Sequence, residues 1–257
     1  MKTKNIIWII ALILVIVLIV TLGYGYYKKA TMEVKNPVAT MEVENFGTIK
    51  IELYPEYAPE TVANFVTLAN RGFYDGLTFH RIVKDFMIQG GDKEGTGEGS
   101  ATTADLKDDG DDTKYSIKGE FIANGVKNNK LKFEEGIIGM ARSDYTSYSS
   151  SLTEESYNSG SSQFFIMTKS NTSLNGYYTS FGKVIEGLEI VHQIEEIEVT
   201  TSEKTEETGN TEVSTPVNPP VITSIKVETY GIDYGMPEIL KPFDYMTWLY
   251  KQYGIGQ

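Results

Sequence analysis

From Ile6 to Leu22 the chain carries no charged residue, and nothing later in its 257 residues matches that run. A helix of ~20 apolar residues crosses the hydrocarbon core of a bilayer, and aromatic side chains favour its two interfaces. Trp8 stands near the start of the run, and Tyr24, Tyr26 and Tyr27 follow its end. Lys2 and Lys4 lie before it, Lys28 and Lys29 after it. A helix packed into a soluble core keeps a polar face, and this one has none. The run exceeds the usual ~7–15-residue core of a cleaved signal peptide. Gly23-Tyr24-Gly25 offers small residues but no Ala-x-Ala site. Residues 1–29 therefore read as an uncleaved signal anchor, a single pass through the cell membrane, with cleavage and secretion as the alternative. The lysine balance leans to the N-terminus inside, which places the remaining chain on the extracytoplasmic side.

The chain beyond the anchor is a different material. Residues 36–257 hold 18 basic against 34 acidic side chains, a net charge of about −16. Nucleic-acid binding needs a basic footprint, and adhesion to anionic lipid needs one too, so both are set aside. The sequence contains no cysteine, which excludes disulfides, thiolate nucleophiles and Cys-ligated metals. Its stability must come from its apolar core.

A tether over 30–37 ends at Pro37. Ala39–Glu44 and Thr48–Tyr54 read as a hairpin, since Ile49, Ile51 and Leu53 alternate with Lys50 and Glu52. Pro59 opens a helix that stops near Gly72 and carries Val62, Phe65, Val66 and Ala69 on one face. Phe79–Ile88, Gly136–Arg142, Gln163–Thr168 and Phe181–Ile185 read as strands. Gly187–Glu196 reads as a second helix and Val221–Glu228 as the last strand. Insertions are expected at 93–115, 143–161 and 200–220, and a Tyr- and Gly-rich tail occupies 231–257. Many strands with two helices predict a mainly β domain over 38–230, an antiparallel barrel or sandwich capped by helices.

Several chemistries have no residues to run on. No Gly-rich phosphate loop and no Gly-x-Ser-x-Gly elbow occur. His80 and His192 are the two histidines, far apart in sequence, too few for a His-based metal site. The acidic run Asp105–Asp112 lacks EF-hand spacing and reads as a solvated loop rather than a Ca²⁺ site. No metal and no cofactor are expected.

Four collinear blocks carry a positive signal. They are Phe79-His80-Arg81-Ile82-Val83-Lys84-Asp85-Phe86-Met87-Ile88-Gln89-Gly90-Gly91-Asp92, then Gly136-Ile137-Ile138-Gly139-Met140-Ala141, then Ser162-Gln163-Phe164-Phe165-Ile166, and Phe181-Gly182-Lys183-Val184. Together they resemble the active-site segments of cyclophilins, in the family's order and rough spacing, over about residues 38–230. The resemblance implies an eight-stranded antiparallel closed β-barrel capped by two α-helices. It also implies peptidyl-prolyl cis-trans isomerase activity, with Arg81 as the catalytic arginine. Phe86, Met87, Phe165 and Leu174 would form the proline pocket. Gln89, Gln163 and the backbone at Ala141 and Arg142 would hold the peptide. His80 would be a packing residue and Gly90-Gly91-Asp92 a tight turn.

Departures from the family pattern fall around the pocket. Ser173 stands where many cyclophilins carry a tryptophan that contacts cyclosporin, and Tyr178 replaces the familiar pocket histidine. The segment 143–161 is longer than the family loop. The partners implied are proline-containing segments of unfolded or exported proteins, met by a monomer tethered to the membrane. Two rival readings remain at this level: a non-catalytic peptide-binding module or holdase, and a surface protein whose 231–257 tail captures a partner.

Overall fold

The computed structural model describes residues 3–31, 35–201 and 212–254. Parts of the expected tether, of the 200–220 insertion and of the tail therefore lie outside the described residues. The chain divides into two compact units, 1–35 and 36–257.

The first unit is one helix, α1 (Thr3–Thr31). Its stretch Trp8–Gly25 has a mean hydropathy of 2.7, long and apolar enough to cross a membrane. A signal sequence near an N-terminus can also form a helix this long and apolar.

The second unit is built on an eight-stranded antiparallel sheet. Strands β1 (Val38–Val43) and β2 (Gly47–Leu53) form the expected hairpin, turning at Asn45 in the left-handed region. Helix α2 (Pro59–Asn70) follows, then β3 (Phe79–Val83) and β4 (Met87–Gly90). A single turn, α3 (Thr103–Leu106), and the two-residue β5 (Ser116–Ile117) lead to β6 (Ile137–Met140). After α4 (Thr153–Tyr157) come β7 (Phe164–Met167), β8 (Ser180–Glu186) and α5 (Leu188–Glu195). The short pair β9 (Val199–Thr201) and β10 (Val213–Pro216) precedes β11 (Ile222–Glu228). The sheet order is β11-β1-β2-β8-β6-β7-β4-β3.

Strand alternation sorts the side chains onto two faces. Ala39, Met41, Ile49, Ile51, Leu53, Ile82, Ile88, Phe164, Ile166 and Phe181 are buried in the main core with Val62, Phe65 and Ala69 of α2 and Val191 and Ile194 of α5. Residue 58, before α2, is an alanine and cannot cap the helix with its side chain. Glu120 does so from a distance, accepting from the backbone N–H of Glu60 at 3.0 Å and of Thr61 at 2.8 Å. Burial raises the pKa of Glu120, and those same hydrogen bonds oppose the rise.

Four expectations need correction. The barrel is not closed: the sheet is an open, curled half-barrel with β11 and β3 at its edges. Among the described residues these edges meet at one bridge, Thr78 with Val221. Pro216, Pro219 and Pro220 precede β11, and proline offers no N–H with which to extend a ladder. Phe79–Ile88 is not one strand but a hairpin, because Asp85 adopts a φ of 57° and turns the chain. The segment 143–161 is not all loop, since α4 lies in it. Val221–Glu228 is not the last strand: β12 (Ile239–Leu240) pairs with β5, and helix α6 (Tyr245–Tyr253) follows, N-capped by Asp244 onto the Thr247 N–H at 2.9 Å.

Candidate active site

The β3–β4 hairpin fixes the site. Arg81 sits opposite Gln89, and Val83 opposite Met87. Strand β4 pairs in turn with β7, setting Gln89 opposite Phe165 and Met87 opposite Met167. The alternation that sends Ile82, Ile88 and Ile166 into the main core therefore presents Arg81, Met87, Gln89 and Phe165 together on the other face.

There they meet a second, smaller apolar cluster. Met87, Phe133, Ile137, Phe165 and Met167 are buried in it, with Val83, Phe86, Leu131, Ala141, Leu174 and Tyr178 packed around them. Phe133 stacks behind Phe165 at a centroid separation of 5.5 Å, and Tyr178 meets Phe165 edge-on at 6.0 Å. Gly139 makes the stack possible: a Cβ there would lie 2.5 Å from Phe165 Cζ and 2.6 Å from Phe133 Cε1. Leu174 ends a 3₁₀ turn (Thr172–Leu174), and its carbonyl accepts from the N–H groups of Tyr177 and Tyr178. That turn brings Leu174 and Tyr178 to the rim as a pair.

A chain of polar groups runs along the opposite rim. Arg81 Nη1 donates to Gln89 Oε1 at 3.2 Å and rests on the Met87 Sδ at 3.7 Å. Gln89 Nε2 donates to Gln163 Oε1 at 2.9 Å. Gln163 Nε2 donates to the carbonyls of Gly97 at 3.0 Å and Gly99 at 2.8 Å. The loop carrying those carbonyls is held by buried Asp92, whose carboxylate accepts from the N–H groups of Glu94, Thr96 and Gly97. His80 is buried nearby; burial pushes its pKa down, with Asp92 opposing. A neutral ring there suits packing better than proton transfer.

The remaining expected contacts lie across the pocket. The Ala141 N–H is spent on the Gln163 carbonyl at 3.0 Å, joining the end of β6 to the start of β7. The Arg142 guanidinium lies 4.4 Å from the Tyr178 ring centroid, and its Nε donates to the Tyr177 carbonyl. Beyond Gln89 and Gln163 opens a groove of about 510 Å³, walled by Tyr145 and Tyr148 of the 143–161 insertion and by Phe243 of the tail. Tyr145 and Phe243 touch with ring centroids 4.6 Å apart, so insertion and tail form one wall. Ser173 is exposed. The carboxylates of Asp105, Asp108 and Asp111 turn to separate protein partners: Lys93, Arg71 and Thr103.

Sequence reasoning missed four residues. Phe133 and Met167 are buried in the apolar cluster beneath Phe165, Asp92 organises the loop behind Gln163, and Glu212 pairs with Arg81. Glu212 Oε1 accepts from Arg81 Nε at 2.7 Å and Oε2 from Nη2 at 2.8 Å. The guanidinium holds the Glu212 carboxyl below the usual carboxylate range. Phe133 belonged to no recognised block, and the pair of Glu212 with Arg81 spans 131 positions of sequence, beyond the reach of any spacing rule.

The model of the cyclophilin type peptidyl-prolyl cis-trans isomerase family matches residues 38–227, most of the chain. The chain belongs to the cyclophilin family. This cyclophilin is 42% identical over 147 residues to peptidyl-prolyl cis-trans isomerase B of Bacillus subtilis, covering 57% of this chain and 82% of that one. It is 35% identical over 168 residues to peptidyl-prolyl cis-trans isomerase ppi1 of Schizosaccharomyces pombe, covering 65% of this chain and 92% of that one. Among solved structures it resembles a Cryptosporidium parvum cyclophilin determined in the presence of the dipeptide Ala-Pro. The TM-score is 0.56 and the identity 28%, over 74% of this chain and 98% of the other. This cyclophilin is a peptidyl-prolyl cis-trans isomerase, which sets aside the non-catalytic alternative.

Proposed function

We propose that Arg81 catalyses the isomerisation and that the enzyme serves exported proteins at the outer face of the membrane. One observation carries the first part: the Arg81 Nη1 lies 3.7 Å from the Met87 sulfur, at the edge of the apolar cluster that holds Phe165, Phe133 and Tyr178. Rotation about an X-Pro amide faces a barrier of ~20 kcal/mol that arises from resonance between nitrogen and carbonyl. A guanidinium donating to the prolyl nitrogen favours its pyramidal, non-resonant form. The contact tightens as resonance is lost, so it stabilises the transition state more than the ground state. No bond is made or broken, and no nucleophile, cofactor or metal is needed. Gln89 and Gln163 would hold the peptide backbone without reading side chains, and the Phe165 wall would grip the ring.

The second part rests on α1 and on charge. An apolar helix of spanning length precedes an acidic domain of about −16, a surface that stays soluble and is repelled by anionic lipid. Residues 1–29 would anchor, 38–230 would catalyse as a monomer, and clients would be proline-containing segments of newly exported chains.

The decisive test is a proline-peptide isomerisation assay on the full-length protein. Arg81→Ala should lower kcat/KM by ~10²–10³, the usual effect of losing one preorganised donor. Equal rates in the two proteins would remove Arg81 from the mechanism. Protease added to intact cells should digest residues 36–257 and spare α1; protection of the domain would overturn the topology.

A further inference from the structure

The ion pair on Arg81 involves a residue outside every recognised block and calls for a role. Glu212 immediately precedes β10, which packs alongside β3, the open edge strand that carries Arg81. Strand β10 is itself tied to β9, with Thr215 opposite Thr200 and Pro216 opposite Val199, and the Val217 N–H continues to the Glu198 carbonyl at 3.0 Å. Ser214 is buried, and its hydroxyl hydrogen-bonds the Glu212 carboxylate. The carboxylate is thus held from its own side as well as by the arginine.

The pairing is fork to fork. Glu212 takes the Nε and Nη2 edge of the guanidinium, at 2.7 and 2.8 Å, while Gln89 takes Nη1 at 3.2 Å. A bidentate carboxylate fixes both the plane and the rotation of a guanidinium. With that edge engaged, Nη1 is the nitrogen directed toward the pocket, where its other contact is the Met87 thioether. Thioether sulfur is a weak acceptor, so a prolyl amide can replace it at little cost. Without Glu212 the side chain, about a third exposed, would be free to rotate toward solvent.

We propose that Glu212 is a positioning residue for isomerisation, clamping the Nε–Nη2 edge of Arg81 so that Nη1 is presented to the prolyl nitrogen. This rests on the reading of Arg81 as the catalytic group. Glu212 touches no substrate; it lowers the cost of ordering the arginine at the transition state. It enters the fold through the β9–β10 pair beside the half-barrel's open edge.

The test is a double-mutant cycle on the full-length protein, with kcat/KM measured on a proline peptide for wild type, Glu212→Ala, Arg81→Ala and the double variant. Glu212→Ala should lose about tenfold, the scale of a charge-assisted hydrogen bond at ~1.5 kcal/mol. Glu212→Gln, which keeps one acceptor, should lose less. In the Arg81→Ala background the Glu212→Ala change should cost nothing more, since the residue acts through the arginine. An equal loss in both backgrounds would mark a merely structural role and overturn the proposal. So would unchanged activity, or a rise in activity, which would make the carboxylate a competitor of the substrate. If Arg81→Ala matched wild type, the catalytic reading itself would fail, an outcome distinct from each of these.

Discussion

Gln89 and Gln163 are joined by one hydrogen bond of 2.9 Å, and the orientation of both amides is dictated from its two ends. The carbonyls of Gly97 and Gly99 can only accept, so Gln163 must face them with Nε2. Arg81 can only donate, so Gln89 must face it with Oε1. Both requirements leave Gln89 Nε2 against Gln163 Oε1, with no conflict. A fully satisfied network of this kind rigidifies the side chains it links.

Gln163→Glu tests that network. A carboxylate cannot donate, so it would face the Gly97 and Gly99 carbonyls with repulsion and release the 94–99 loop. We expect kcat/KM to fall about tenfold, equivalent to one charge-scale hydrogen bond. A variant as active as wild type in the proline-peptide assay would show that the glutamine relay has no part in presenting Arg81.

Gly139→Ala tests the aromatic stack. The new Cβ would sit 2.5 Å from Phe165 Cζ and force the Phe133–Phe165 stack apart. Overpacking of a tight core costs ~1–3 kcal/mol, which in a domain of this size lowers Tm by roughly 2–4 °C per kcal/mol. Peptide KM should rise together with that loss. Scanning calorimetry and steady-state kinetics read the two effects, and an unchanged Tm with unchanged KM would count against the packing argument.

His192 gives a pH signature. Its Nε2 lies 2.8 Å from Glu135 and its Nδ1 3.1 Å from Glu195, so both ring nitrogens face carboxylates. The hydrogen bond to Glu195 leads the causes that raise its pKa above the ordinary imidazole value. For a raised histidine, the stabilisation is fully present below the unfolded value, about 6.5, and is lost as pH rises through the higher folded value. The side chain is 40% exposed, and solvent screening limits such a pair to below about 1 kcal/mol. The Tm difference between wild type and His192→Gln should therefore be a few degrees near pH 5.5 and shrink toward pH 8.5. A difference that grows with pH would reverse the assignment.

The sequence made the half-buried strands easy to read and the connections hard. Ile49, Ile51 and Leu53 announced β2 through strict alternation, and all three are buried. The β3–β4 turn was hidden because Lys84, Asp85 and Phe86 include no glycine, and the left-handed residue is an aspartate. Helix α6 has a readable start in Asp244-x-x-Thr247, masked by the Tyr- and Gly-rich composition around it. The closed barrel was inherited from the resemblance, while the prolines at 216, 219 and 220 argued against a continuous ladder at that edge. Of the site, Met87, Gln89 and Phe165 share one face because β4 and β7 pair in register, and Gln163 joins them through its hydrogen bond to Gln89. Glu212 had no local signal, since its partner is fixed by how β10 lies beside β3.

The two faces of the β3–β4–β7 ribbon tie catalysis to folding. A slip of one position in the pairing of β4 would exchange the side chains of Ile88 and Gln89 between oil and water. Gln89 and Met87 would leave the face they share with Phe165 in the same step that the core lost its isoleucine. A misregistered ribbon therefore loses core burial and the candidate site together. Any molecule that has buried Ile82, Ile88 and Ile166 in this register has, by that act, also set Arg81, Met87, Gln89 and Phe165 on the reverse face.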